Sequence, residues 1–135
     1  MTDQQTTAPT EIVIDVDRAL QLLREVVAER GADTVYQPVR LGASRPDRAP
    51  LPNCVYAHNG APSCLVGHAL HRAGVPVEDL AKMTGQIDEL SWWPESLDVG
   101  SDAVEVFLAA QYAQDEGSPW GDALAAAEHE AGVYS

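Results

Sequence analysis

Residues 53–74 read NCVYAHNGAPSCLVGHALHRAG, and this stretch decides the fold class. Asn53–Ala57 has the β-branched and aromatic content of a strand. Asn59-Gly60 is a turn signal, because both central residues of a tight hairpin turn need positive φ. A two-residue turn there pairs His58 with Ala61 and makes a hairpin with Ala61–Ser63. Ser63 is then placed to cap a helix over Cys64–Ala73, and Gly74 to stop it. A strand, a turn and a helix within 22 residues indicate an α+β domain.

The sequence outward from this point is mostly helical. Glu11–Val16 is a short β-branched run with strand character, and Asp17 is a plausible N-cap. Ala19, Leu20, Leu23, Val26 and Val27 then repeat at helical spacing up to Arg30, before Gly31. Thr34–Tyr36 is a short apolar piece, and residues 37–53, with four prolines and three arginines, form a long loop. Pro76 suits the first turn of a helix over Val77–Met83 that ends at Gly85. Residues 86–100 read as a loop or short helix. Ser101 is expected to cap a helix over Asp102–Asp115 with Val104, Phe107, Leu108 and Tyr112 on one face. Gly117 ends it, and Ser118-Pro119 starts a last helix to about Ala131. The expected architecture is four to five helices packed around a short hairpin or small antiparallel sheet. Residues 1–10 form a disordered tail and residues 11–135 one globular domain. At 135 residues and 45% hydrophobic, the chain is large enough to bury a core.

Charge is the most unusual property. The net charge is −13. All eight basic residues lie between Arg18 and Lys82, and from Met83 onward eleven Asp and Glu face no Lys or Arg. Such a surface repels phosphate backbones and attracts basic partners. A basic protein partner is therefore expected, and direct nucleic-acid binding is not. No apolar run reaches the ~18–20 residues of a membrane span. No stretch looks like a secretory signal. A cytoplasmic location and reduced thiols follow as expectations.

Three groups of residues carry candidate chemistry. On a helix, Cys64, Gly67, His68 and His71 share a face, opposite an apolar face of Leu65, Val66, Ala69, Leu70 and Ala73. A thiol in the first turn next to an imidazole one turn on could act as a Cys64–His68 nucleophile pair; a small buried cysteine with two surface histidines is the alternative. Cys54, Cys64, His68 and His71 also supply four zinc-type ligands, without a standard spacing. In a regular hairpin Cys54 and Cys64 would point to opposite faces. No cofactor is expected from this pattern beyond the zinc option. Trp92-Trp93-Pro94 is the third group. Tryptophans either seal a core or mark a binding surface, and Trp92 and Trp93 are the candidate binding residues. The helix–Gly74-Val75-Pro76–helix stretch has the outline of a DNA-binding motif, but Glu78 and Asp79 against Lys82 give it the wrong charge. The pairs Asp88/Glu89 and Asp115/Glu116 have no evident pocket.

The chain resembles a group of small uncharacterised proteins of actinobacteria and their phages. The resemblance is carried by the helix Asp17–Arg30, by Cys54-Val-Tyr56 with Gly60-Ala-Pro-Ser-Cys-Leu-Val-Gly-His-Ala-Leu70, and by Gln114-Asp115-Glu116-Gly117 with Trp120-Gly121-Asp-Ala-Leu124. It implies a domain of unknown function with a helix, a hairpin running into a Cys-containing helix, and two closing helices, and it implies no activity. The leading expectation is a non-enzymatic, acidic interaction or regulatory protein that binds a host or phage protein, phage-encoded if the resemblance extends that far. A thiol-dependent enzyme or metal-binding protein using the Cys64/His68/His71 face, and an acidic nucleic-acid mimic, are the alternatives.

Overall fold

The computed structural model describes residues 11–36, 56–58, 60–83, 86–90 and 92–132. The expected tail (residues 1–10), the loop over 37–53 and the strand residues Asn53–Val55 lie outside the described residues. In chain order the elements are β1 (Ile12–Ile14), α1 (Val16–Arg30), β2 (Ala57–His58), β3 (Ala61–Pro62), α2 (Leu65–Ala73) and α3 (Val77–Leu80). A single 3₁₀ turn (Ile87–Glu89), β4 (Leu97–Val99), α4 (Ser101–Asp115) and α5 (Trp120–Glu130) follow. The domain is α+β, with five helices and two small sheets among the described residues.

Most local expectations hold. The hairpin pairs Ala57 with Pro62 and His58 with Ala61. Gly74 closes α2 in the left-handed region at φ 118°, where a Cβ would be strained. The caps differ by a residue or two. Asp15, not Asp17, caps α1, and its side chain accepts from Arg18 N at 2.8 Å. Cys64 takes the cap of α2 expected of Ser63, with its Sγ accepting from Gly67 N at 3.4 Å. Gly100 precedes α4, so Ser101 is its first residue. α3 is a single turn of four residues, well short of the expected Met83.

One element has no counterpart in the sequence reading. β4 pairs with β1, and the pairing is parallel: Ile12 with Leu97, Ile14 with Val99. The strands are short, and Ile12 N to Ser96 O (2.7 Å) and Gly100 N to Ile14 O (3.0 Å) extend the ladder at both ends. A pairing of strands so far apart in sequence has no turn signal to announce it.

The buried residues form one continuous core. α4 and α5 pack together most extensively, and α1 contacts α2, α4 and α5. The α4 face is rotated from expectation. Phe107 and Leu108 are buried as expected, but Tyr112 is 48% exposed, and the main buried stripe is Ala103, Val106, Phe107, Ala110, Gln111 and Gln114 at i, i+3, i+4, i+7, i+8 and i+11. Two glutamines thus enter the core, and each has partners there. Gln111 Oε1 accepts from Ile87 N at 2.8 Å, and its Nε2 donates to the Tyr56 hydroxyl at 2.7 Å. Gln114 Oε1 accepts from Leu65 N at 2.8 Å. The last bond satisfies one of the free N–H groups in the first turn of α2. The start of α5 is served differently, by Trp120 N to Thr34 O (2.7 Å) and Gly121 N to Ala32 O (2.9 Å). Among the described residues no helix is long and apolar enough to cross a membrane.

Candidate functional site

The Cys64 segment is turned inward. Cys64 is fully buried, and its sulfur is engaged as the helix cap. The close seating of α2 on the hairpin explains why. Gly67 lies against the Tyr56 backbone, where a Cβ would overlap the Tyr56 carbonyl oxygen, and Tyr56 O also accepts from Ser63 N at 3.0 Å. The face expected to carry Cys64, Gly67, His68 and His71 to solvent is therefore half sealed. His68 is half-buried, with its ring edge-on to Trp120 at 5.6 Å between centroids. Burial, reinforced by the charge of Arg30, lowers its pKa to about 4, so at neutral pH it is an uncharged ring. His71 is exposed at the end of α2, where Nδ1 donates to Val75 O at 3.0 Å. Along the same segment, exposure thus runs from the fully buried Cys64 to the open His71. Cys54 lies outside the described residues, and among the described residues no group of three His, Cys, Asp or Glu is placed to hold a metal ion.

Trp92 and Trp93 stand on an open groove of about 600 Å³. Its wall is the 3₁₀ turn Ile87–Glu89, closed by Glu89 N to Gln86 O (2.8 Å) and held to α4 by the Gln111 bond to Ile87 N. A second turn, closed by Leu97 N to Pro94 O (3.1 Å), leads the chain from the tryptophans into β4. The opposite side is the first turn of α4. Ile87, Leu90, Trp93, Val99 and Val104 supply apolar lining and pack on the core. Trp92 is the exception: it is 38% exposed, and Lys82 Nζ lies 5.2 Å from its ring centroid. Asp88 and Glu105, both exposed, lie along the groove, and neither is ion-paired among the described residues.

The sequence indicated the tryptophans but not their setting. Ser101, Val104 and Glu105 share one α4 face, a spacing that the sequence shows once the helix start is known. The contribution of Val99 depends on β4, which the sequence does not show. Asp88 reaches the groove, while Asp115, from the other acidic pair, is half-buried. Burial raises the Asp115 pKa, and a bond from Gln114 Nε2 at 2.9 Å partly offsets that. No family model matches the chain, and neither the curated proteins nor the solved structures give a significant match.

Proposed function

We propose that this chain is a non-enzymatic interaction domain that binds a protein with an exposed basic segment, and that the Trp92/Trp93 groove is the binding surface. The observation that carries this reading is an open groove with an exposed tryptophan and two carboxylates, Asp88 and Glu105, that have no ion-pair partner among the described residues. Desolvated aromatic residues provide most of the binding energy in protein interfaces, and complementary charge sets encounter rate and orientation. The acidic surface continues past the rim, since Glu105 also borders a hollow shared with Asp102 and Glu130. The absence of Lys and Arg after Met83 extends the same potential over α4 and α5. It also disfavours a nucleic-acid partner.

The burial of Cys64 supports a non-catalytic reading, because a thiol without exposed surface cannot meet a dissolved substrate. The resemblance to actinobacterial and phage proteins directs the search for the partner to host or phage proteins of such cells, in the cytoplasm. The test is affinity capture from an actinobacterial lysate with the wild-type chain, the Trp92→Ala variant and the Asp88→Lys/Glu105→Lys variant. A basic protein held by the wild type and lost with both variants is expected. Equal capture by all three would rule the groove out as the binding surface.

A further inference from the structure

One cation, supplied by the chain itself, already lies against Trp92 of the groove. Lys82 is the last basic residue in the sequence. It lies in the exposed turn after α3, where its N–H bonds to Asp79 O at 3.1 Å. Its ammonium, 5.2 Å from the Trp92 ring centroid, is within the ~6 Å range of a cation–π contact. It makes no ion pair among the described residues. A flexible four-carbon stem and one face-on contact are all that hold it there. Asp88 and Glu105 of the groove have no basic partner among the described residues either. The groove thus combines an aromatic residue that already accepts a weakly held cation with carboxylates that lack a basic partner among the described residues.

We infer that the Trp92 face is the cation subsite of the groove, that Lys82 fills it as an internal placeholder, and that an arginine side chain of the partner segment displaces Lys82 from it. This rests on the groove being the binding surface proposed above. Arginine fits the subsite better than lysine. Its flat guanidinium stacks on an indole and keeps its N–H edge free for carboxylates, and Asp88 and Glu105 supply those. An apolar neighbour of that arginine then has the Ile87, Leu90 and Val104 lining to pack on. The partner segment is accordingly a basic one in which arginines alternate with aliphatic residues.

The probe is a tryptophan-free nonapeptide of alternating arginine and leucine, titrated into the full chain by calorimetry at an ionic strength of about 0.15 M, where charges outside the contact are screened. Its lysine and glutamate counterparts are titrated in parallel. The arginine peptide should bind more tightly than the lysine peptide, and the glutamate peptide should not bind. Lys82→Gln should tighten arginine-peptide binding by about 2–5-fold, the worth of an exposed cation–π contact. Arg18→Gln removes the same charge from α1, where the guanidinium bonds Gln21 Oε1, and should change affinity by less than about 1.5-fold, since Arg18 neither lines the groove nor lies over Trp92. Trp92→Leu should weaken binding and abolish the gain from Lys82→Gln.

Four results would overturn the inference. If Trp92→Leu weakens binding but Lys82→Gln does not strengthen it, the placeholder role fails while the groove reading stands. If neither Trp92→Leu nor Glu105→Lys alters peptide affinity, or if no peptide binds the wild type or Lys82→Gln, the groove reading fails as well. Self-association in sedimentation that Trp92→Leu abolishes would assign the groove to a second copy of the chain instead.

Discussion

Two segments of this protein carry conspicuous side chains, and the fold treats them in opposite ways. The α2 segment holds a thiol and two imidazoles, and it is packed against the hairpin so closely that only a glycine fits at position 67. The segment from Ile87 to Val99 holds two tryptophans, large apolar side chains that can seal a small core, and it leaves one of them 38% exposed in a groove with Asp88 and Glu105. Residue chemistry alone would assign reactivity to the first and packing to the second. Burial reverses that assignment. Backbone approach, here set by Gly67 against Tyr56, decides which side chains can meet a ligand.

The contrast can be broken at several points. Gly67→Ala should have the largest effect. The added methyl overlaps the Tyr56 carbonyl, and overpacking of this kind costs about 3 kcal/mol, partly offset by about 1 kcal/mol of helix propensity. Urea unfolding that shows no loss would mean that α2 is not seated on the hairpin backbone. Thiol alkylation tests the same region kinetically. In a Cys54→Ser background, Cys64 should react with iodoacetamide at least about a hundredfold more slowly in the native chain than in urea, since reaction requires local opening. Rapid native alkylation would restore the nucleophile reading.

The third test concerns His68. Its folded-state pKa lies below the ordinary 6.5, at about 4, so the unfolded chain binds that proton more readily. Stability should therefore fall as pH drops from 6.5 towards 4, and the His68 contribution is fully present above 6.5. His68→Gln should flatten that part of the stability–pH curve, measured by denaturant unfolding at each pH. An unchanged slope would place His68 in freer contact with water than its position beside Trp120 indicates. The smallest effect belongs to the other segment. Trp92→Ala should cost less than about 1 kcal/mol of stability while weakening binding to the groove. A large loss of stability would mean that Trp92 seals the core and that the two segments are alike after all.

How much of this was legible in the sequence depended on how local the cause was. Gly31, Gly74 and the Asn59-Gly60 turn act within a few residues of themselves, and the α1 and α2 ends and the hairpin pairing followed from them. The choice between Asp15 and Asp17, or between Ser63 and Cys64, depends on which side-chain atom faces the third N–H along, and neighbouring candidates look alike in sequence. The buried glutamines misled the reading of α4. Polar letters suggest a solvent face, yet Gln111 and Gln114 are satisfied by Ile87 N, Tyr56 and Leu65 N, and a buried amide with partners costs little. β4 was invisible because Leu97–Val99 gains strand character only from β1, and the groove inherits that gap through Val99. The chemistry of Trp92 and Trp93 was legible, whereas the convergence of Asp88 and Glu105 on one groove depended on tertiary placement.

The parallel bond between β1 and β4 has a consequence for how the protein is made. Ile12 must wait for Leu97, so the first strand has no partner until most of the chain has left the decoding centre. At about 5–20 residues per second, that is a delay of roughly 4–17 s. Throughout it, the apolar side of α1, with Leu22, Leu23 and Val26, lacks the surfaces of α4 and α5 that cover it in the finished fold. Growing chains should therefore be clients of ribosome-associated holdases until α4 is made, and early termination products should be cleared rather than accumulate as a folded fragment.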